Sequence, residues 1–87
     1  MKAKHKKVLK GIFETPTNAS IAWKDIEFLL SALGAEISEG KGSRFRIALN
    51  GVRAVFHRPH PRKEADKGAV VSVRRLLKEA GVTENEL

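Results

Sequence analysis

The chain has 87 residues, a formal net charge of +7 and no cysteine. This length predicts one small domain, residues 1–87, with a thin core. The missing cysteines exclude a disulfide framework and a zinc ribbon. No run of about 18 apolar residues occurs, so we expect no membrane contact and a cytoplasmic location.

The N-terminal segment, residues 1–14, combines an apolar stripe with a dense set of lysines. Helical spacing over residues 3–14 relates Val8, Leu9, Ile12 and Phe13, which predicts a short basic amphipathic helix. Its apolar side is expected to dock on the core. Its lysines are candidates for non-specific affinity for nucleic acid.

A second helix is predicted over residues 22–33, ended by Gly34 in a left-handed cap. Trp23 at its start is expected to pack in the core rather than to bind a base. Ala35 to Ser38 follow as a short first strand.

Two alternating runs flank the pair Asn50-Gly51, which predicts a two-stranded hairpin. Asn-Gly readily adopts the positive φ values of a type I′ turn. With these residues as the loop, period-two alternation separates an apolar face from a basic one. The apolar face, expected to be buried under the helices, holds Phe45, Ile47, Leu49, Val52, Ala54 and Phe56. The other face, expected to be open, holds Arg44, Arg46, Ala48, Arg53, Val55 and His57.

The C-terminal part predicts a charged loop and a last helix. Pro59 and Pro61 prevent a central strand there, residues 62–68 form the loop, and Gly81 ends the helix. The predicted fold class is α+β: a three-stranded antiparallel sheet with helices on one face.

The basic residues are unevenly distributed along the chain. Residues 41–63 contain seven Lys or Arg and no acid. Five of the seven are arginines, which form planar forks with phosphate. The segment therefore indicates an anion-binding surface, with a solvated strand face as the alternative.

The element order and three local motifs resemble HicA, the toxin of HicBA toxin–antitoxin pairs. The resemblance covers residues 21–82 and leaves the N-terminal helix outside the minimal family domain. The motifs are Gly42-Ser43 before the hairpin, Arg58-Pro59-His60-Pro61 after it, and the closing run Val73-Arg74-Arg75-Leu76-Leu77-Lys78-Glu79-Ala80-Gly81-Val82. The closing run is similar to the family's ending, lR-x-lLk-x-aGi.

The resemblance implies a fold like a double-stranded-RNA-binding domain, α-β-β-β-α, here with an additional N-terminal helix. It also implies ribosome-independent mRNA cleavage and a HicB antitoxin that covers the site. The family's catalytic residue is a histidine on the second strand, one to three residues after the Gly-Ser. This chain has Arg44 in that place and no histidine from Gly40 to Gly51.

RNA cleavage without a metal requires a base for the 2′-OH proton, an acid for the leaving 5′-oxygen and cations for the charge on phosphorus. Histidine suits the first two roles because its ordinary pKa lies near neutrality. The basic segment offers no acidic cluster for a divalent metal, so no metal or other cofactor is predicted.

The hairpin register sets His57 directly opposite Arg44, with Cβ atoms about 4.5–5.5 Å apart. We predict that the catalytic histidine has moved from the second strand to the third, with Arg44 as its cationic neighbour. A plain surface residue or an antitoxin contact is the alternative for His57. His60, held between two prolines, is a further catalytic candidate, and a loop histidine bonded to backbone is its alternative.

The predicted RNA contacts are Lys41, Ser43, Arg46, Arg53 and Arg58. Ser43 is expected to order the turn or to contact phosphate, because no base is placed to activate its hydroxyl as a nucleophile.

Two functions of different classes fit these residues. One is a HicA-like endoribonuclease that cleaves mRNA and is neutralised by a HicB-like antitoxin. The other is a non-catalytic RNA-binding module on the same fold that has lost the second-strand histidine. A DNA-binding protein fits less well, because the basic residues lie on strands and no helix-turn-helix or zinc signature occurs.

Overall fold

The computed structural model describes residues 3–58 and 63–84, and it has the predicted α+β architecture. The three strands form one antiparallel sheet in the order β1-β2-β3. None of the helices in these two ranges has the length and apolar character that a membrane crossing requires. The elements are α1 (Ala3–Phe13), α2 (Trp23–Ala32), β1 (Glu36–Glu39), β2 (Arg44–Leu49), β3 (Val52–His57) and α3 (Lys67–Glu79).

The β2–β3 hairpin has the predicted turn and register. Asn50 and Gly51 have φ values of 49° and 81°, the positive values that a type I′ turn needs. Arg44 faces His57, and Leu49 faces Val52. The Nδ2 atom of Asn50 donates a hydrogen bond of 2.8 Å to the carbonyl of Ala80, which ties the hairpin tip to the end of α3.

The covered face of the sheet forms one side of the hydrophobic core. Its central members are buried: Phe45, Ile47, Leu49 and Phe56. The prediction of full burial is wrong for Val52 and Ala54, which are half-buried and pack at the margin of the core. Both lie on β3, an edge strand whose outer side no further strand shields among the described residues.

Trp23 packs in the core, as predicted, and is 3% exposed. Its ring centroid lies 5.4 Å from that of Phe45, in an edge-on arrangement, and 5.8 Å from that of Phe56. Such aromatic pairs bury a large apolar area with defined geometry. The cluster fixes the start of α2 against the middle of the sheet.

The basic N-terminal helix docks by its apolar side, as predicted. Leu9 and Ile12 of α1 are fully buried. Arg74 of α3 holds the end of α1: its Nε atom donates to the Ile12 carbonyl at 2.8 Å, and a terminal nitrogen donates to the Glu14 carbonyl at 3.0 Å. These bonds satisfy carbonyls that have no partner within the helix.

The predicted loop over residues 62–68 is partly wrong. Lys63 to Ala65 run beside the start of α2. The backbone N–H of Trp23 donates to the Lys63 carbonyl, and the backbone N–H of Ala65 donates to the Ile21 carbonyl, each at 2.9 Å. The last helix begins at Lys67 because Asp66 caps it, accepting from the Ala69 N–H at 2.7 Å.

Candidate nucleic-acid interface

The side of the sheet away from the helices, here called the open face, carries the predicted cations. Its side chains are exposed, apart from the half-buried Ala48. The hairpin contributes the six predicted residues, and β1 adds two that were not predicted. In chain order the open face consists of Glu36, Ser38, Arg44, Arg46, Ala48, Arg53, Val55 and His57.

The register arranges these side chains in rows across the strands. Ser38, Arg46 and Val55 form the middle row, and Glu36, Ala48 and Arg53 form the row nearest the hairpin tip. The third row, at the other end of the sheet, is the pair of Arg44 and His57. Consecutive rows are about 6.7 Å apart, which is two residues of strand.

Opposed residues in an antiparallel sheet alternate between hydrogen-bonded and non-hydrogen-bonded pairs. Arg44 and His57 form a non-hydrogen-bonded pair. The backbone N–H of Arg44 donates to the Lys41 carbonyl at 3.1 Å, and its carbonyl accepts from the Gly40 N–H at 2.8 Å. Both backbone groups of Arg44 therefore point away from β3. In such a non-hydrogen-bonded pair the Cα atoms are about 4.5 Å apart and the side chains approach most closely. The exposed side chains of Arg44 and His57 therefore start from directly opposed positions on the open face.

The open face is cationic and includes one exposed apolar side chain. Arg44, Arg46 and Arg53 outnumber the single acid, Glu36, and within residues 3–58 and 63–84 none of the three arginines forms an ion pair. Val55 lies among them and is 55% exposed. Unpaired guanidinium groups around an apolar spot can bind phosphate oxygens and a base or sugar at once.

Lys41 and Ser43 lie in the β1–β2 turn beside the Arg44–His57 row, and both are exposed. Gly42 between them has a φ of 63°, which a residue with a side chain rarely adopts. The turn therefore leads directly into Arg44, at the end of the sheet where β3 also ends.

Arg58, predicted to contact RNA, lies instead on the helix-covered side. Its guanidinium donates to both carboxylate oxygens of Glu27 at 3.0 and 3.1 Å and to both of Glu39 at 2.7 and 2.8 Å. Its central carbon lies 4.7 Å from the ring centroid of Phe45. We call Arg58, Glu27, Glu39 and Phe45 the Arg58 clamp. Because side chains alternate along a strand, the residue after His57 points away from the open face.

The clamp shifts the pKa values of Glu39 and Arg58. The hydrogen bonds from Arg58 hold the pKa of Glu39 below its usual value, and the bonds to Glu39 and then Glu27 raise the pKa of Arg58. Charge-assisted bidentate bonds of this kind favour the ionised form of both partners.

The structure thus brings together Arg44, Arg46, Arg53 and His57, with Lys41 and Ser43 at one end. It does not bring Arg58 to them, and His60 lies outside the described residues. Glu36 and Ser38 were not among the predicted site residues, although the alternation Glu36-Ile37-Ser38 indicates their orientation. Ile37 faces Ile47 on the covered side, so its neighbours face outward.

The chain matches the family model described as the HicA toxin of bacterial toxin–antitoxin systems, over residues 23–82. No curated protein and no solved structure matches it significantly. The matched segment runs from α2 through α3, so it contains the whole sheet and leaves α1 outside. It is well over half of the chain, and the chain therefore belongs to the HicA toxin family.

Proposed function

We propose that this protein is an RNA-cleaving toxin whose site is the open face. The observation that carries the proposal is the pairing of His57 with Arg44 in the close antiparallel geometry, on a cationic surface. A histidine can exchange protons near neutral pH, and the adjacent arginine can stabilise charge that develops on a phosphate. Membership of the HicA family supports the same activity.

The chemistry we propose is attack by the RNA on its own backbone. His57 takes the proton of a ribose 2′-OH, and the 2′-oxygen forms a bond to the adjacent phosphorus. The bond from phosphorus to the 5′-oxygen breaks, and the electron pair leaves with that oxygen. Arg44 stabilises the added negative charge, while Arg46 and Arg53 bind neighbouring phosphates. The products are a 2′,3′-cyclic phosphate and a 5′-hydroxyl.

The leaving 5′-oxygen needs a proton from a second group. Water can supply it, and His60 remains a predicted candidate for this role. Lys41 and Ser43 are proposed to contact the RNA backbone where it passes the β1–β2 turn.

The product ends test this chemistry directly. A purified, folded sample free of antitoxin is expected to cut single-stranded RNA in excess EDTA and to leave 2′,3′-cyclic phosphate ends. An otherwise identical strand with one 2′-deoxyribose at the cut position is the matched control, since it should bind equally and remain intact. Cleavage of the deoxy strand at that position would contradict the proposal.

We further propose that a HicB-like antitoxin covers the open face. The arginines and the exposed Val55 favour a partner that supplies acidic and apolar side chains. In the complex, the amides of residues 43–58 are expected to exchange more slowly with solvent. Slower exchange limited to residues 1–14 would instead make the basic N-terminal helix the docking element.

The alternative is an RNA-binding module without activity. The observation that favours it is Arg44, which occupies the place of the family's second-strand histidine. Tight, salt-sensitive RNA binding by folded protein that leaves every strand intact would support this alternative.

A further inference from the structure

The Arg58 clamp lies at the end of the sheet that holds the Arg44–His57 pair. There β1 ends at Glu39, β2 begins at Arg44 and β3 ends at His57. The ends of strands are where pairing frays most easily. One arginine side chain joins this end of the sheet to α2 through Glu27 and to the last residue of β1 through Glu39.

The backbone of Arg58 adds a second link at the same place. Its N–H donates to the Ser43 carbonyl at 3.0 Å, which extends the pairing of β2 and β3 by one step beyond His57. Arg44 and His57 are thus enclosed between this bond and the Phe45–Phe56 pair. Phe45, the next residue after Arg44, lies beneath the guanidinium of the clamp.

We infer that Arg58 is a positioning residue that holds His57 and Arg44 in register for cleavage, an inference that rests on the proposed function. Its guanidinium makes four hydrogen bonds to two carboxylates, a fork geometry that lysine cannot reproduce. Displacement of a catalytic group by about 1 Å can cost about 100-fold in rate. A clamp on the residue next to His57 therefore acts on turnover without touching RNA.

This role differs measurably from a phosphate contact. An arginine that binds phosphate contributes to RNA affinity and to the salt dependence of binding. Four of the five N–H groups of the Arg58 guanidinium donate to carboxylates within the described residues. Loss of the clamp should therefore lower kcat, while KM and the salt slope of binding stay as they are.

The experiment compares Arg58→Lys with Arg74→Lys. Arg74 is the matched control because it also bonds several acceptors on another element, but it holds the end of α1 rather than the histidine end of the sheet. We expect Arg58→Lys to lower kcat at least about tenfold with KM and salt slope changed less than about twofold, and Arg74→Lys to keep the parent's kcat. Glu39→Ala, which removes half of the clamp, should lower kcat in the same direction.

A raised KM with a flatter salt slope in Arg58→Lys would overturn the inference and make Arg58 an RNA contact. An unchanged kcat would overturn it as well. Amide hydrogen exchange gives a second measurement that needs no activity: Gly40 and residue 58, whose N–H groups bond Arg44 and Ser43, should exchange faster in Arg58→Lys but not in Arg74→Lys. If the parent cleaves no RNA, the proposed function fails. Equal exchange in the two variants would independently show that the Arg58 clamp does not hold this end of the sheet.

Discussion

The two sides of the β2–β3 hairpin differ in nearly every property although they are made by the same twelve residues. Phe45 on the covered side is fully buried, whereas Val55 on the open side is 55% exposed. The covered side is apolar and packs against Trp23, and the open side carries three arginines and a histidine. The comparison teaches that alternate positions of one hairpin serve the core and the exposed surface. Single substitutions should therefore separate stability from the RNA binding that we propose.

The division is sharpest between two consecutive residues. His57 points to the open side, and Arg58 points to the covered side, where Glu27 and Glu39 bind it. His57 is the last residue of β3 and Arg58 follows it directly, yet His57 is exposed and Arg58 is engaged with two carboxylates of the protein. Charge alone therefore does not show which face of the sheet a residue joins; its place in the alternation must be known too.

The largest expected effect is on the covered side. Phe45→Ala should lower the free energy of unfolding by about 3–5 kcal/mol, because it leaves a cavity among aromatic rings. Urea unfolding measures the change. Val55→Ala, on the other side of the hairpin, is the control and should stay within about 0.5 kcal/mol of the parent. Equal losses of unfolding free energy in the two variants would contradict the distinction between the two sides.

A second test concerns the charge of the open side. Arg46→Ala combined with Arg53→Ala should weaken binding to single-stranded RNA of any sequence and lower the salt slope by about 1.4, since each phosphate contact contributes about 0.7. Fluorescence anisotropy at several salt concentrations measures both. The control is Lys24→Ala combined with Lys67→Ala, which removes the same charge from exposed helical positions. A control that weakens binding as much would show that net charge, not the open face, governs binding.

The smallest expected effect is on the pH dependence of folding stability, to which the Arg58 clamp contributes. The pKa of Glu39 is lowered in the folded protein, so its carboxylate stabilises the fold fully above its ordinary pKa of 4.5 and loses this contribution as the pH falls through the lower folded value. Glu39→Gln should therefore be less stable than the parent at neutral pH, and the difference should shrink below the ordinary pKa. Thermal melts over a pH series measure it.

Glu36→Gln is the matched control for that series. Glu36 belongs to the same strand but lies on the open side, without an ion pair among the described residues. If Glu36→Gln lowered the melting temperature at neutral pH as much as Glu39→Gln does, the role assigned to the clamp would be contradicted.

Much of this arrangement follows from the sequence because it depends on neighbours in the chain. Asn50-Gly51 fixes the turn, and the turn fixes the pairing of Arg44 with His57. The partners of Arg58 could not be predicted in the same way. Glu27 lies 31 residues away, on a helix whose distance from the sheet end depends on the packing of Trp23 and Phe45.

The burial of β3 shows a second limit. Alternation predicts which side Val52 and Ala54 face but not how far the helices cover them, and at this edge strand the cover is partial. On β1, alternation alone does not say which side of the sheet Glu36 and Ser38 face. The pairing of Ile37 with Ile47 supplies that information and puts both residues on the open face.

We propose that His57 on the third strand takes the role of the histidine that the HicA family carries on its second strand. The most direct test of this proposal is the single-turnover cleavage rate of His57→Ala at saturating protein, with RNA affinity and melting temperature measured on the same sample. We predict a loss of about 10²–10⁴-fold in rate, with affinity and melting temperature close to those of the parent, and the same loss in His57→Gln, which cannot exchange a proton near neutral pH. Cleavage by His57→Ala at the parent's rate would contradict the account.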